Sequence, residues 1–184
     1  MRHGLLIIAI TPPFHYPDEA ERIMELLDSG ETDFVHIRKP QWGASEISEL
    51  LEGIPVSYHE RIKLHDHFEL IESSHIGGVH LNSRNPIPPT SAKSVSCSFH
   101  SIEQLASATH YDYVTLSPIF DSISKHGYKS AFSLEELKDK VKGKNVVALG
   151  GVTPEKLPEI AAAGFFGAAM LGHFWPSGNG INYE

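Results

Sequence analysis

The amino-acid sequence predicts a closed (β/α)8 barrel of reduced size, and three observations carry that prediction. Short apolar β-type runs alternate with helix-type segments along the chain. Strands separated by crossovers pair in parallel, with helices covering the sheet. The runs number eight, which matches barrel closure better than the alternative, an open doubly wound sheet. The chain has 184 residues and reads as a single domain over 1–184. That is well short of the ~250 residues typical of such barrels.

The strands read GLLIIAI (4–10), DFVHIRK (33–39), RIKLHD (61–66), GGVHLN (77–82), SVSCSFH (94–100), YVTLSPI (113–119), NVVALGG (145–151) and FGAAMLG (166–172). The first helix, DEAERIMELLDSG, carries Ile23, Leu26 and Leu27 at helical spacing and stops at a glycine. ASEISELLEGI, FELIESS, SIEQLAS, SLEELKDKV and TPEKLPEIAAAG follow the same grammar. Ser133 and Glu136 have capping-box spacing, and Thr153 with Pro154 reads as an N-cap followed by an N1 proline. Two helices fall short. SRNPIPPTSAK, after the fourth strand, is too proline-rich for a regular helix, so helix 4 is short. Only HFWPSGNGINYE follows the last strand, so helix 8 is missing or vestigial. Phe174 and Trp175 in that tail are expected to plug the barrel base where the helix would pack, or to sit in a dimer interface.

Composition narrows the function classes. Lys and Arg number 15 against 23 Asp and Glu, a formal charge of −8, which gives no electrostatic reason to expect nucleic acid or anionic lipid as partner. The hydrophobic fraction of 41% and charged fraction of 21% are ordinary for a folded chain. The single cysteine, Cys97, excludes an intrachain disulfide framework. The apolar run at 4–10 is too short to span a membrane and lacks a signal-peptide cleavage site. A soluble, cytoplasmic protein with no membrane partner is the expectation.

Chemistry in parallel α/β folds gathers at the C-terminal ends of strands. Strand alternation puts His36 and Arg38 on the same side as Phe34, so this strand either leaves the core or enters a site. The third strand ends in His65, Asp66 and His67, the fourth in His80 and Asn82, and the fifth carries Ser98 and His100. DSISKHG after the sixth supplies Ser122, Ser124, Lys125 and His126. Six consecutive strand ends of this kind point to a site. Gly150 and Gly151, between a strand and a helix start, would let an anionic ligand approach the backbone. Two hydroxyls and a lysine in the strand 6 loop could take the oxygens of a second phosphate, and Asp66 could help hold Mg²⁺. Trp42 is expected to pack on its loop, and His59, His75 and His110 to lie on the surface.

LSPIFDSISKHG, VVALGGVTPEKL, GGVHL, CSFHSIEQL and DFVHIRK together resemble the thiamine phosphate synthase family, which also contains the TenI-type thiazole tautomerases. The resemblance runs from residue 4 to about residue 172. It implies a TIM-type barrel, usually dimeric, that joins hydroxymethylpyrimidine diphosphate to thiazole phosphate with release of pyrophosphate and help from Mg²⁺. By that resemblance Arg38 contacts diphosphate and Asp66 is one of two metal-binding aspartates. Ser98 lies on the pyrimidine side, Ser122, Ser124 and Lys125 grip phosphate oxygens, and Gly150 and Gly151 receive the thiazole phosphate.

Departures from the family pattern cluster on the diphosphate side. His36 stands for a glutamine, and the lysine two residues after Arg38 is Pro40, with Lys39 expected to face away. His65 stands for an asparagine, and the second carboxylate position falls on Asn85 or its neighbour Arg84. His36 also matches the TenI spelling, while Pro118 stands where those tautomerases carry a histidine base. The expectation is a synthase-like transferase with Arg38, Lys125 and His100 as catalytic groups. One alternative is a TenI-like isomerase or thiazole phosphate binder using His100 or His36 as base. Another is a hydrolase with Zn²⁺ held among His36, His65, His67, His80 and His100.

Overall fold

A computed structural model describes residues 3–121 and 132–176. Ser122, Ser124, Lys125 and His126 lie outside the described residues. The eight strands are β1 Leu6–Ile10, β2 Phe34–Ile37, β3 Ile62–Leu64, β4 Gly78–Leu81, β5 Val95–Phe99, β6 Tyr113–Leu116, β7 Val146–Ala148 and β8 Gly167–Met170. Each pairs in parallel with the next, and β8 closes on β1 through Leu6↔Gly167 and Ile8↔Ala169. Every strand falls inside its predicted run, trimmed by a residue or more at one or both ends, and the predicted barrel closes.

The helices are α1 Glu19–Asp28, α2 Ala44–Glu52, α3 Leu70–Ser74, α4 Leu134–Val141 and α5 Leu157–Ala162. In α1 the predicted stripe of Ile23, Leu26 and Leu27 is buried against the sheet. The predicted capping box forms at α4, where Glu136 N–H donates to Ser133 Oγ at 3.2 Å and the Glu136 carboxylate reaches back to Ser133 N–H at 3.5 Å. Thr153 caps a short 3₁₀ turn, Pro154–Lys156, that leads into α5. SIEQLAS forms a 3₁₀ helix, Glu103–His110, in place of an α-helix. Between β4 and β5 the described chain makes turns only, so the shortening of helix 4 is complete.

Phe174 and Trp175 are buried, at 2% and 0% exposure, and belong to the apolar layer between sheet and helices, not to the barrel interior. Trp175 packs edge-on against Tyr16 at 5.2 Å, and Arg22 Nε donates to Phe174 C=O at 3.2 Å. The described part of the tail, up to Pro176, therefore packs on the flank of the barrel beside α1. Its aromatic rings are already buried within one chain, and no dimer interface is required to explain them.

His59 corrects the surface expectation. It sits in the 3₁₀ turn Val56–Arg61, is 6% exposed, and bonds Ile54 C=O at 2.8 Å and Ser74 C=O through its two ring nitrogens. His75 and His110 are exposed as expected. No helix among the described residues is long and apolar enough to cross a membrane.

Candidate active site

Alternation along the strands divides the barrel interior into two halves. Ile8 and Ile10 of β1, Val147 of β7 and Ala169 of β8 form an apolar side. From β2 to β6 the inward positions are polar and buried: His36, Lys63, His65, His80, Ser96 and Thr115. Tyr113, at the start of β6, reaches across to β2. Its hydroxyl is hydrogen-bonded to His36 Nε2 at 2.6 Å, and His36 Nδ1 lies 3.0 Å from His65 Nε2. Because β2 and β6 are not neighbours in the barrel, this contact passes through its centre. His80 stacks on His65 with ring centroids 4.4 Å apart. It donates from Nδ1 to Ser96 Oγ at 2.8 Å and accepts from Ser98 Oγ at Nε2, also at 2.8 Å. Ser96 passes its own hydrogen to Val79 C=O at 3.2 Å, which fixes the direction of this chain.

Burial keeps this layer neutral. It is the main cause holding His36 and His65 well below the ordinary histidine range, reinforced by the charge of His80 on both, of Lys63 on His36 and of Arg38 and Arg84 on His65. Burial, then Lys63, pushes His80 down to about 3. Burial also lowers the Lys63 ammonium to about 8 and raises the Tyr113 hydroxyl, so that Tyr113 remains a donor. Lys63 lies over the Tyr113 ring at 4.4 Å and donates to Ser94 Oγ at 2.6 Å, which in turn donates to Asp112 at 2.8 Å. This chain closes the barrel floor.

Of the histidines considered as metal ligands, the structure gathers His36, His65 and His80, with one donor atom from each within 4.8 Å of the others. Both nitrogens of His36 and both of His80 are already hydrogen-bonded. A catalytic zinc needs an open coordination position, and this layer is a satisfied polar core instead. His67 turns away in a left-handed backbone conformation, with Nε2 on Trp42 C=O at 2.8 Å and Nδ1 on Glu69 at 3.1 Å. His100 is exposed at the rim, its Nδ1 3.2 Å from Ser117 Oγ.

Above the neutral layer stand the charges. Arg38 is half-buried at the end of β2. Among the described residues its guanidinium has no hydrogen-bond or ion-pair partner; only its backbone N–H bonds, to Thr11 Oγ1 at 2.9 Å. Lys39 faces the other way, as expected. It is 1% exposed, 2.7 Å from the Glu19 carboxylate, and covered by the Trp42 ring at 4.6 Å. Burial drives the Lys39 ammonium down and the Glu19 carboxyl up, and their ion pair opposes both shifts.

Asp66 is not free to act as expected. Arg84 holds it bidentately, with Nη2 2.9 Å from Oδ1 and 3.1 Å from Oδ2, and Nε 3.1 Å from Oδ1. Asn85 Nδ2 donates to Oδ1 as well, at 2.9 Å. Glu69 lines the same cleft, but its carboxylate is taken by His67. The only cluster of three ligand-type residues among those described is the histidine layer. The residues around Asp66 therefore do not fit a two-carboxylate Mg²⁺ site.

Gly150 and Gly151 have φ of 91° and 62°, but the close approach they permit is to the protein itself. A Cβ on Gly150 would lie 2.8 Å from Pro118 Cα, and one on Gly151 2.3 Å from Asp121 C=O. Ile119 N–H donates to Leu149 C=O at 2.9 Å and Phe120 N–H to Gly150 C=O at 3.0 Å, so residues 118–121 are laid along the glycine turn. Gly151→Ala is expected to cost about 1–2 kcal/mol from its left-handed backbone alone, and more from the clash. A thermal melt lowered by several degrees would show it; an unchanged melt would contradict this role.

A model of the family described as thiamine monophosphate synthase matches residues 7–174. The chain belongs to that family. Thiamine phosphate pyrophosphorylase from Bacteroides thetaiotaomicron, a solved structure, is 38% identical, with a TM-score of 0.83 over 95% of this chain and 87% of that one. The thiamine-phosphate synthase of Pediococcus pentosaceus is 25% identical over 85% of this chain and 81% of its own. The solved thiamine phosphate pyrophosphorylase of Pyrococcus furiosus, 21% identical with a TM-score of 0.75 over 93% of this chain and 87% of that one, shares the fold.

Of the site residues expected from the sequence, Arg38 and Asp66 stand on the adjacent ends of β2 and β3, while His36 lies in the buried layer below and Ser98 bonds His80 of that layer. Sequence reasoning missed Lys63, Tyr113 and Thr115. The signal was present: period-two alternation in RIKLHD puts Lys63 on the face of His65, and in YVTLS it puts Thr115 on the face of Tyr113. Thr115 is 1% exposed, pairs with Ser98 in register, and its hydroxyl has no partner among the described residues.

Proposed function

We propose that this protein makes thiamine phosphate, joining hydroxymethylpyrimidine diphosphate to thiazole phosphate and releasing pyrophosphate. Family membership supports the reading, and one observation of the site carries it: the half-buried Arg38 guanidinium at the barrel mouth, without a hydrogen-bond or ion-pair partner among the described residues. A cation held in that way is a receptor for an anion.

In this reading the bond between the pyrimidine methylene carbon and the diphosphate oxygen breaks, and the diphosphate leaves with the electron pair. The thiazole nitrogen then donates its lone pair to the pyrimidine cation. Arg38 meets the growing charge on the departing oxygen, and Lys125 joins it by resemblance. The neutral His36–His65–His80 layer beneath the mouth does not repel the cation, which protonated imidazoles would. Ser98 and the unpartnered Thr115 hydroxyl offer polar contacts to the pyrimidine edge, with His36 below them. By resemblance Ser122 and Ser124 take phosphate oxygens; the thiazole phosphate would lie beside the Gly150–Gly151 turn, whose closest approach is already taken by residues 118–121. Of the three groups expected to be catalytic, His100 keeps no step here, because it bonds Ser117 at the rim. Magnesium is implied by resemblance, but it would find only the carboxylate of Asp66, and that only after Arg84 had released it. A homodimer is likewise part of the proposal by resemblance alone.

The transferase reading requires two ligands at once, whereas an isomerase or simple thiazole phosphate binder requires one. Calorimetry tests this. Protein saturated with inorganic pyrophosphate is expected to bind thiazole phosphate with little change in affinity. Mutually exclusive binding would favour the single-substrate alternative.

A further inference from the structure

We infer that Arg84 takes the place of a divalent cation in this site, so that diphosphate is gripped by the Arg38 and Arg84 guanidinium groups without a metal bridge. The inference rests on the diphosphate reading above.

Arg84 is set by its backbone before any ligand arrives. The turn from Asn82 to Asn85 closes on itself through reciprocal backbone bonds of 3.2 and 3.1 Å. Asn82 Oδ1 accepts the Arg84 N–H at 3.0 Å, and the side-chain amides of Asn82 and Asn85 both donate to His65 C=O, at 2.8 and 3.0 Å. The turn is thus fastened to the end of β3, beside Asp66. The two side chains are layered: that of Asp66 is 11% exposed and that of Arg84 40% exposed. The carboxylate lies behind and the cation faces the cleft, where Pro40, His67 and Phe68 complete a cavity of about 370 Å³. Arg38 shares this neighbourhood. Ile37, just before it, pairs in register with Leu64 and accepts the His65 N–H at 3.1 Å, so Arg38 and Asp66 stand on adjacent strand ends.

Charge arithmetic separates this site from a metal site. Two carboxylates need an ion between them before a polyanion can approach. Here Glu69 is paired with His67, and the remaining carboxylate, Asp66, faces the two guanidinium groups of Arg84 and Arg38, which leaves positive charge for the ligand to neutralise. Arg84 also retains donor N–H groups beyond those given to Asp66, in the planar geometry that matches phosphate oxygens.

The test is calorimetric titration with inorganic pyrophosphate, in EDTA and in Mg²⁺, of wild type, Arg84→Ala and Arg84→Asp. Wild type is expected to bind in EDTA about as tightly as in Mg²⁺. Arg84→Ala should weaken binding in EDTA by roughly tenfold or more, the scale of a lost charge-assisted contact. Arg84→Asp restores a second carboxylate, and its binding should vanish in EDTA and return with Mg²⁺. Arg84 is exposed, and thermal melts establish that the variants fold. Wild-type binding that disappears in EDTA, or an Arg84→Ala variant unchanged there, overturns the inference and leaves the transferase reading standing. Absence of pyrophosphate binding in both conditions overturns the two together.

Discussion

The folded protein is expected to lose stability as the pH falls from about 7 to about 5, and the barrel interior is the cause. His36, His65 and His80 are buried and held neutral, with folded pKa values below the unfolded value near 6.5. The unfolded chain therefore binds more protons in this window, and stability falls as pH falls. It is fully present above about 6.5 and, for His80, continues to decline toward about 3. All three shifts have the same sign, so their contributions to this decline add in direction. The charges facing the layer push the same way, since Lys63 lies beneath it and Arg38 and Arg84 above. Urea unfolding across this range checks the expectation. His80→Asn should shallow the acid slope by about one proton, and a flat profile for the wild type would contradict the neutral layer.

Arg38→Ala is expected to slow thiamine phosphate formation by about a hundredfold or more, the scale on which a transition-state charge contact matters. Its effect on stability should have the opposite sign. A half-buried guanidinium without a hydrogen-bond partner among the described residues costs desolvation free energy and contributes no bond to them in the ligand-free protein. Removing it should leave the melting temperature unchanged or raise it. This combination distinguishes a ligand-binding cation from a structural one, whose removal lowers both. Arg38→Lys should recover little of the rate, because an ammonium lacks the planar pair of donors. A variant that retains full activity would remove Arg38 from the chemistry.

What was legible in the sequence was local. Strand positions followed from apolar runs, the α4 cap from Ser133 and Glu136, and the inward facing of His36 and Arg38 from simple alternation. Lys39 could be placed on the opposite face by the same rule, and the buried Lys39–Glu19 pair shows where it went. Contacts across the barrel were not legible. Nothing in the sequence near His36 announces Tyr113, because the two meet only once eight strands have closed. His59 lies away from the strand tops, which made a surface position the expectation, but the 3₁₀ turn points it inward onto two carbonyls. The glycine pair is expected from the sequence to admit a ligand to the backbone, whereas in the structure the group that approaches it is the chain at 118–121. Arg84 was recognised as a departure from the family pattern; that it would occupy the carboxylate of Asp66 depended on how the Asn82–Asn85 turn folds back on β3.

The most direct measurement is product formation by the wild-type protein from hydroxymethylpyrimidine diphosphate and thiazole phosphate. Thiamine phosphate and pyrophosphate should appear in equal amounts, and only when both substrates are present. Absence of both products from folded protein that binds thiazole phosphate would contradict the account, leaving an isomerase or a binding protein on a synthase-family barrel.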